Sequence, residues 1–84
     1  MPESMVGKVS DFFARPLVAG VDLSAPLKVG EKIHIKGHTT DLEVTVDSMQ
    51  INNATVTQAN PGDLVGIKVG ARVRRGDTVY KVTQ

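Results

Sequence analysis

Short segments in which apolar and polar residues alternate run through the whole chain, and glycine or proline separates them. Alternation with a period of two places the apolar side chains on one face of a β-strand. The chain contains thirteen valines, seven threonines and four isoleucines, and these β-branched residues favour strands over helices. No segment of the sequence holds an apolar stripe at helical spacing for three turns. The pattern therefore predicts an all-β fold with at most one helical turn.

A chain of 84 residues has room for one hydrophobic core, because a domain of this size buries only roughly 60% of the surface that its unfolded chain exposes. Cysteine is absent, so neither a disulfide nor a thiolate metal site supplements that core. The alternating segments recur about every ten residues with turn residues between them, as in barrels and sandwiches. Closure into a barrel removes unpaired strand edges that invite aggregation. We therefore predict one domain over residues 1–84, a small closed antiparallel β-barrel of about six or seven strands, with residues 1–4 disordered.

The parity of the apolar residues predicts which face of each strand is buried. Ile33 and Ile35 point inward on one predicted strand, and Val65 and Ile67 point inward on a later one.

The alternation changes phase near Asp47 and Ser48. Met49 lies on the opposite parity from Val46, so one extra residue must be accommodated between them. Either a β-bulge or a sharp corner accommodates such a residue, and we predict a β-bulge near Asp47 and Ser48.

Five segments, in the same order and at a similar spacing, resemble the second, β-barrel domain of translational GTPases such as elongation factor Tu. These segments are Val18-Ala19-Gly20-Val21, residues 27–33 (LKVGEKI), residues 46–50 (VDSMQ), residues 59–67 (ANPGDLVGI) and Arg75-Gly76-Asp77. The chain looks closer still to small free-standing proteins of the translation elongation factor-like kind, and it is similar to barrels at the C-terminus of U32 family peptidases. The resemblance covers nearly the whole chain and implies a barrel of the translation-protein type.

The resemblance implies an RNA-linked role, because in the full-length factors the barrel helps to hold the end of an aminoacylated tRNA and touches the ribosome. The sequence departs from those factors in having no phosphate-binding loop of the GxxxxGK[ST] kind. The pair Gly7-Lys8 has neither the preceding glycine nor the following serine or threonine. We therefore predict that this chain binds and hydrolyses no GTP.

Positive charge is concentrated late in the chain, although the formal net charge is only +1. A row of basic residues on the outer face of one predicted strand, extended by basic residues near the C-terminus, forms a candidate surface for RNA, the ribosome or a translation-associated protein. RNA binding there would depend strongly on salt. These residues are Lys32, His34, Lys36, Lys68, Arg72, Arg74 and Arg75. The alternative is that they are ordinary solubility charges and lysines that protect a strand edge.

A second hypothesis is a protein-interaction module that works with a U32-type peptidase or another enzyme. Phe12 and Phe13 are adjacent, so one of them must point outward on a regular strand. An exposed phenylalanine next to Arg15 is typical of a contact site for a protein or a base. Aromatic residues are otherwise scarce, which argues against single-stranded nucleic acid as the ligand.

Catalytic and metal-binding patterns are weak. His34, His38 and Asp41 lie near a predicted hairpin tip, but a metal site needs three or four converging ligands, so a metal or small-ligand carrier at His34 and His38 is only a minor alternative. Asp41, Glu43 and Asp47 alternate, as on a solvated strand face. No Ser-His-Asp set or paired carboxylate motif is recognisable. We predict a non-enzymatic binding module with no cofactor and no metal.

The sequence has no apolar run long enough to span a bilayer, and residues 1–10 lack the order of a secretory signal. The sequence therefore predicts a cytoplasmic protein that does not bind membranes.

Overall fold

The computed structural model describes residues 3–15 and 17–82. This part of the chain forms ten β-strands and contains no helix long and apolar enough to cross a bilayer. The strands are β1 (Glu3–Phe13), β2 (Val18–Leu23), β3 (Leu27–Lys28), β4 (Lys32–Lys36), β5 (Asp41–Thr45), β6 (Met49–Ile51), β7 (Ala54–Val56), β8 (Gln58–Ala59), β9 (Leu64–Lys68) and β10 (Thr78–Val82). The prediction of an all-β fold is confirmed.

The sequence predicts six or seven strands, and four of the ten observed strands were not predicted as separate elements. β3, β6, β7 and β8 have only two or three residues each, which is too short for alternation to appear. The start of the chain also differs from the prediction. Residues 1 and 2 of the segment predicted to be disordered lie outside the described residues, whereas Glu3 and Ser4 belong to β1.

Eight strands form one antiparallel sheet in the order β5-β4-β10-β1-β2-β9-β6-β7, and β3 pairs with β8 in a separate ladder. β5 and β7 end the large sheet without pairing to each other, so the prediction of a closed barrel is wrong. Unpaired strand edges are tolerated in this sheet because the two edge strands are short and one of them is charged. β7 has three residues and β5 has five, of which Asp41 and Glu43 are charged, and short, charged edges resist pairing with another chain.

The core lies on one face of the large sheet and is built from the alternating residues. Ile33, Ile35, Val65 and Ile67 are at most 1% exposed, which confirms the predicted parity of β4 and β9. The buried apolar residues are Val6, Val9, Ala19, Val21, Leu23, Leu27, Ile33, Ile35, Val46, Met49, Ala59, Val65, Ile67, Val69, Val73 and Val79.

The change of phase near Asp47 and Ser48 is a corner between two strands. Residues 46–48 lie outside any strand, so the prediction of a β-bulge there is wrong. The chain leaves β5, and Val46 is held by backbone bonds to the segment before β4: its N–H donates to Glu31 O at 2.9 Å, and its carbonyl accepts from Gly30 N at 2.8 Å. β6 then begins in a different part of the sheet, with its own parity.

The irregularities in the ladders lie in β1. Its register shifts between Met5 and Gly7 against β10, and between Val9 and Asp11 against β2. The second shift aligns Asp11 with Gly20 and Phe13 with Val18. This alignment positions the outer-face residues described next.

Candidate interaction surface

Two glycines form the floor of a depression on the outer face of the sheet. Gly20 of β2 lies directly opposite Gly66 of β9, and Gln50 of β6 lies opposite Gly66 on its other side. Neither position carries a side chain, so the sheet backbone forms the bottom of the depression there, half-buried at Gly66 and buried at Gly20 beside Ser10 and Asp11. The resulting depression has a volume of about 840 Å³, and we call it the outer groove.

Apolar side chains flank this floor on two sides. Phe13 and Val18 form one cross-strand pair beside the glycines, and Leu64 precedes Gly66 by two residues on the same face of β9. Phe13 is 53% exposed and Leu64 is 59% exposed, which is unusual for large apolar side chains that line one depression. Exposed apolar patches of this kind mark interaction sites.

The expectation that one of the two adjacent phenylalanines points outward is confirmed. Phe13 is exposed, whereas Phe12 packs against the core from a half-buried position. Leu64 was not recognised as a site residue. Its position opposite Asp22 on the outer face follows from the pairing of β2 with β9, which the sequence pattern does not reveal.

Polar groups line the ends of the outer groove. At one end the β6–β7 hairpin closes through Asn52 and Asn53, whose φ angles of 52° and 65° are left-handed values that asparagine tolerates better than most residues. At the other end, the Asp11 carboxylate accepts a hydrogen bond from Phe12 N at 2.8 Å, and Arg15 lies on the rim. The groove thus combines apolar walls with hydrogen-bonding groups.

The basic row predicted on β4 is present but is mixed with acidic residues. Lys32, His34 and Lys36 are on the outer face, and the pairing of β4 with β5 places Glu43 beside His34 and Asp41 beside Lys36. The positive potential of the row is therefore partly neutralised by its neighbours.

Two of the other predicted basic residues, Lys68 and Arg75, also have acidic neighbours. Lys68 shares a second depression, of about 550 Å³, with Glu43 and Asp47. Three exposed arginines lie in the connection between β9 and β10, namely Arg72, Arg74 and Arg75. The Arg75 guanidinium lies 3.7 Å from the Asp11 carboxylate. RNA binding by this set stays a prediction.

Three carboxylates surround the imidazole of His34 on the outer face, and we call these four residues the His34 cluster: Glu3, His34, Asp41 and Glu43. His34 Nδ1 lies 2.6 Å from Glu3 Oε2, and His34 Nε2 is hydrogen-bonded to Asp41 Oδ1. Ionised carboxylates only accept hydrogen bonds, so both contacts form together when the ring is protonated and donates from both nitrogens.

The same contacts explain two pKa shifts. The hydrogen bond to Asp41, followed by the bond to Glu3, raises the pKa of His34. The hydrogen bond to His34 lowers the pKa of Asp41. Both shifts favour the ion pair over the neutral forms.

Of the three residues predicted near the hairpin tip, the structure brings together His34 and Asp41 but leaves His38 exposed and outside the cluster. Glu3 and Glu43 were missed. Glu43 could have been found, because a hairpin over residues 34–43 places it opposite His34. Glu3 could not, since it reaches the cluster from β1, two positions away in the sheet.

Sequence comparison finds a segment similar to this chain in a known protein. A segment of an uncharacterized protease of Methanocaldococcus jannaschii is 43% identical over 76 residues, which is 89% of this chain and 19% of the protease. The chain thus spans about one-fifth of the length of that curated relative. No protein-family model matches the chain.

Two solved structures have the same fold. The C-terminal domain of a Geobacillus thermoleovorans protein named as a U32 peptidase superposes with a TM-score of 0.88 at 14% identity, covering 95% of this chain and 93% of that domain. Its selenomethionine variant gives a TM-score of 0.85 at 14% identity, covering 90% and 96%. These matches support the resemblance to C-terminal domains of U32 peptidases and give no support to the translation-factor resemblance.

Proposed function

We propose that this chain is a non-enzymatic binding module that works with an enzyme of the U32 peptidase type. The observation that carries the proposal is the 43% identity to a segment that makes up only 19% of a protease. In that relative, most of the chain lies outside the matched segment. The shared fold with a C-terminal domain named as part of a U32 peptidase supports the same separation of a binding module from the catalytic part.

The surface proposed for the enzyme is the outer groove. Phe13 and Leu64 expose more than half of their surface, and full burial of such a side chain is worth about 1.5–3 kcal/mol. The glycine floor allows close approach of a partner backbone, and the neighbouring side-chain amides supply hydrogen-bond donors and acceptors. A protein surface matches this mixture better than a phosphate backbone does, since phosphate contacts come mainly from basic residues.

Isothermal titration calorimetry of the 84-residue chain with a purified U32-type peptidase tests the proposal. We expect a saturable complex that Gly20→Val weakens at least about tenfold, the equivalent of 1.4 kcal/mol, because the new side chain fills the floor of the outer groove. A Cβ at Gly20 makes only ordinary contacts, the nearest at 3.4 Å from Asp11 Cβ, so the variant should fold.

The matched control is Gly70→Val, the same substitution at a position where a Cβ meets nothing within 4 Å. It should bind like the unmodified chain. Equal affinities for the two variants would contradict docking in the outer groove, and the absence of any complex would contradict the proposed partner.

We also propose that the partner enzyme, and not this chain, catalyses peptide hydrolysis. The chain alone should release no peptides from casein, and addition of the chain should alter the activity of the enzyme. Protease activity that stays with the chain through purification and disappears on a single substitution in the His34 cluster would contradict this assignment.

RNA binding is the alternative outcome of the same experiments. Filter binding to tRNA and ribosomes over a salt series should show weak retention that the double variant Arg74→Glu, Arg75→Glu does not change. Retention that falls steeply with salt and is lost in that variant would favour RNA as the ligand instead of the enzyme.

A further inference from the structure

We propose that Glu3, His34 and Glu43 bind a divalent transition-metal ion such as Zn²⁺. This goes beyond the proposed function, because the site lies outside the outer groove and requires no partner.

The ligand atoms are already close together. One oxygen of Glu3, one ring nitrogen of His34 and one oxygen of Glu43 lie within 4.8 Å of one another. Zinc bound tetrahedrally at about 2.0–2.2 Å from each ligand requires ligand atoms roughly 3.4 Å apart. Both glutamates are exposed, so their side chains have room to rotate toward that spacing.

Four adjacent strands hold the backbone of the site in place, and three of them carry the ligands. Glu3 begins β1 opposite Val82 of β10, Val82 lies opposite Lys32 of β4, and His34 lies opposite Glu43 of β5. Continuous ladders therefore connect all three ligands, and sites built on strands are positioned more accurately than sites on loops.

Asp41 provides the partner that a metal-binding histidine needs. A ligating imidazole usually donates its other N–H to a carboxylate, which fixes the ring orientation and tautomer. Glu3 lies at Nδ1 and Asp41 at Nε2. A metal at Nδ1 would thus displace one proton, while the Nε2–H bond to Asp41 is kept.

The chemistry of the donors selects among metals. One imidazole with two carboxylates suits zinc and similar transition metals, whereas Ca²⁺ and Mg²⁺ prefer sets made only of oxygen. Three protein ligands leave a fourth position for water or another group.

Calorimetric titration of the 84-residue chain with ZnCl₂, after removal of metals by a chelator, tests the site. We expect saturable binding of one Zn²⁺ per chain and none of Mg²⁺. His34→Gln and Glu43→Gln should each abolish saturable binding. Asp41→Asn should weaken it about 10–100-fold, as loss of an outer carboxylate does elsewhere.

His38→Gln and Asp47→Asn are the controls, since both residues are exposed and lie outside the cluster. They should bind Zn²⁺ like the unmodified chain. Circular dichroism checks that each variant is folded. If His34→Gln fails to fold, Glu43→Gln still tests the site, because it changes an exposed side chain. No saturable binding up to about 1 mM Zn²⁺, well above the range of structural zinc sites, would overturn the proposal, as would binding that survives both substitutions or is lost in His38→Gln.

Discussion

Leu64→Ser separates the role of the outer groove in binding from its role in stability. Leu64 is 59% exposed in the free chain, so about three-fifths of its burial energy is still available to a partner. With about 1.5–3 kcal/mol for a fully buried leucine, a complex that covers this side chain gains about 1–2 kcal/mol from it. Removal should weaken binding about five- to thirtyfold.

The free chain should hardly be affected by the same change. Because the side chain contributes little to the core, Leu64→Ser should shift the free energy of unfolding by no more than about 0.5 kcal/mol. Titration calorimetry with the U32-type peptidase measures the first effect, and urea denaturation followed by circular dichroism measures the second. Val29→Ser is the control, since Val29 is 37% exposed and lies outside the groove. Equal binding by the two variants, or a large loss of stability in Leu64→Ser, would refute the reasoning.

Three further predictions concern stability. Ile35→Ala should destabilise the chain by about 2–5 kcal/mol in urea denaturation, because Ile35 is fully buried; a loss below 1 kcal/mol would contradict the described core. Gly37→Ala should lower the melting temperature, because a Cβ there overlaps the carboxylate of Asp77. Asp77 is 5% exposed, and its carboxylate accepts a hydrogen bond from the Arg74 amide. An unchanged melting temperature would contradict this packing. In chelator-containing buffer, the ion pair of His34 should stabilise fully below pH 6.5, the ordinary pKa of histidine, and weaken as the pH rises through the raised pKa of His34. The same ion pair should also weaken as the pH falls below 3.8 through the lowered pKa of Asp41. Melting temperatures measured across this pH range should show both changes in the unmodified chain and neither in His34→Gln.

Local features of this fold could be predicted because they depend on neighbouring residues. The period of two identifies the buried faces of β4 and β9, where Ile33 and Val65 are buried as expected. The adjacency of Phe12 and Phe13 is enough to predict that one ring is exposed. Such inferences need only the geometry of a single strand.

Features that depend on the order of strands could not be predicted. Gly20 and Gly66 form a groove only because β2 pairs with β9, and they are 46 positions apart in the sequence. Glu3 joins the His34 cluster only because β10 and β1 follow β4 in the sheet. The change of phase at Asp47 is consistent with a bulge or a corner, and only the destination of the chain distinguishes them.

Residue-specific NMR of the ¹⁵N-labelled chain, titrated with the unlabelled U32-type peptidase, tests most directly where a partner binds. We predict that amide signals of Val18, Gly20, Leu64 and Gly66 shift or broaden first. Signals of β4 should change little. Changes confined to β4 or to residues 69–77, with those four amides unaffected, would contradict the account.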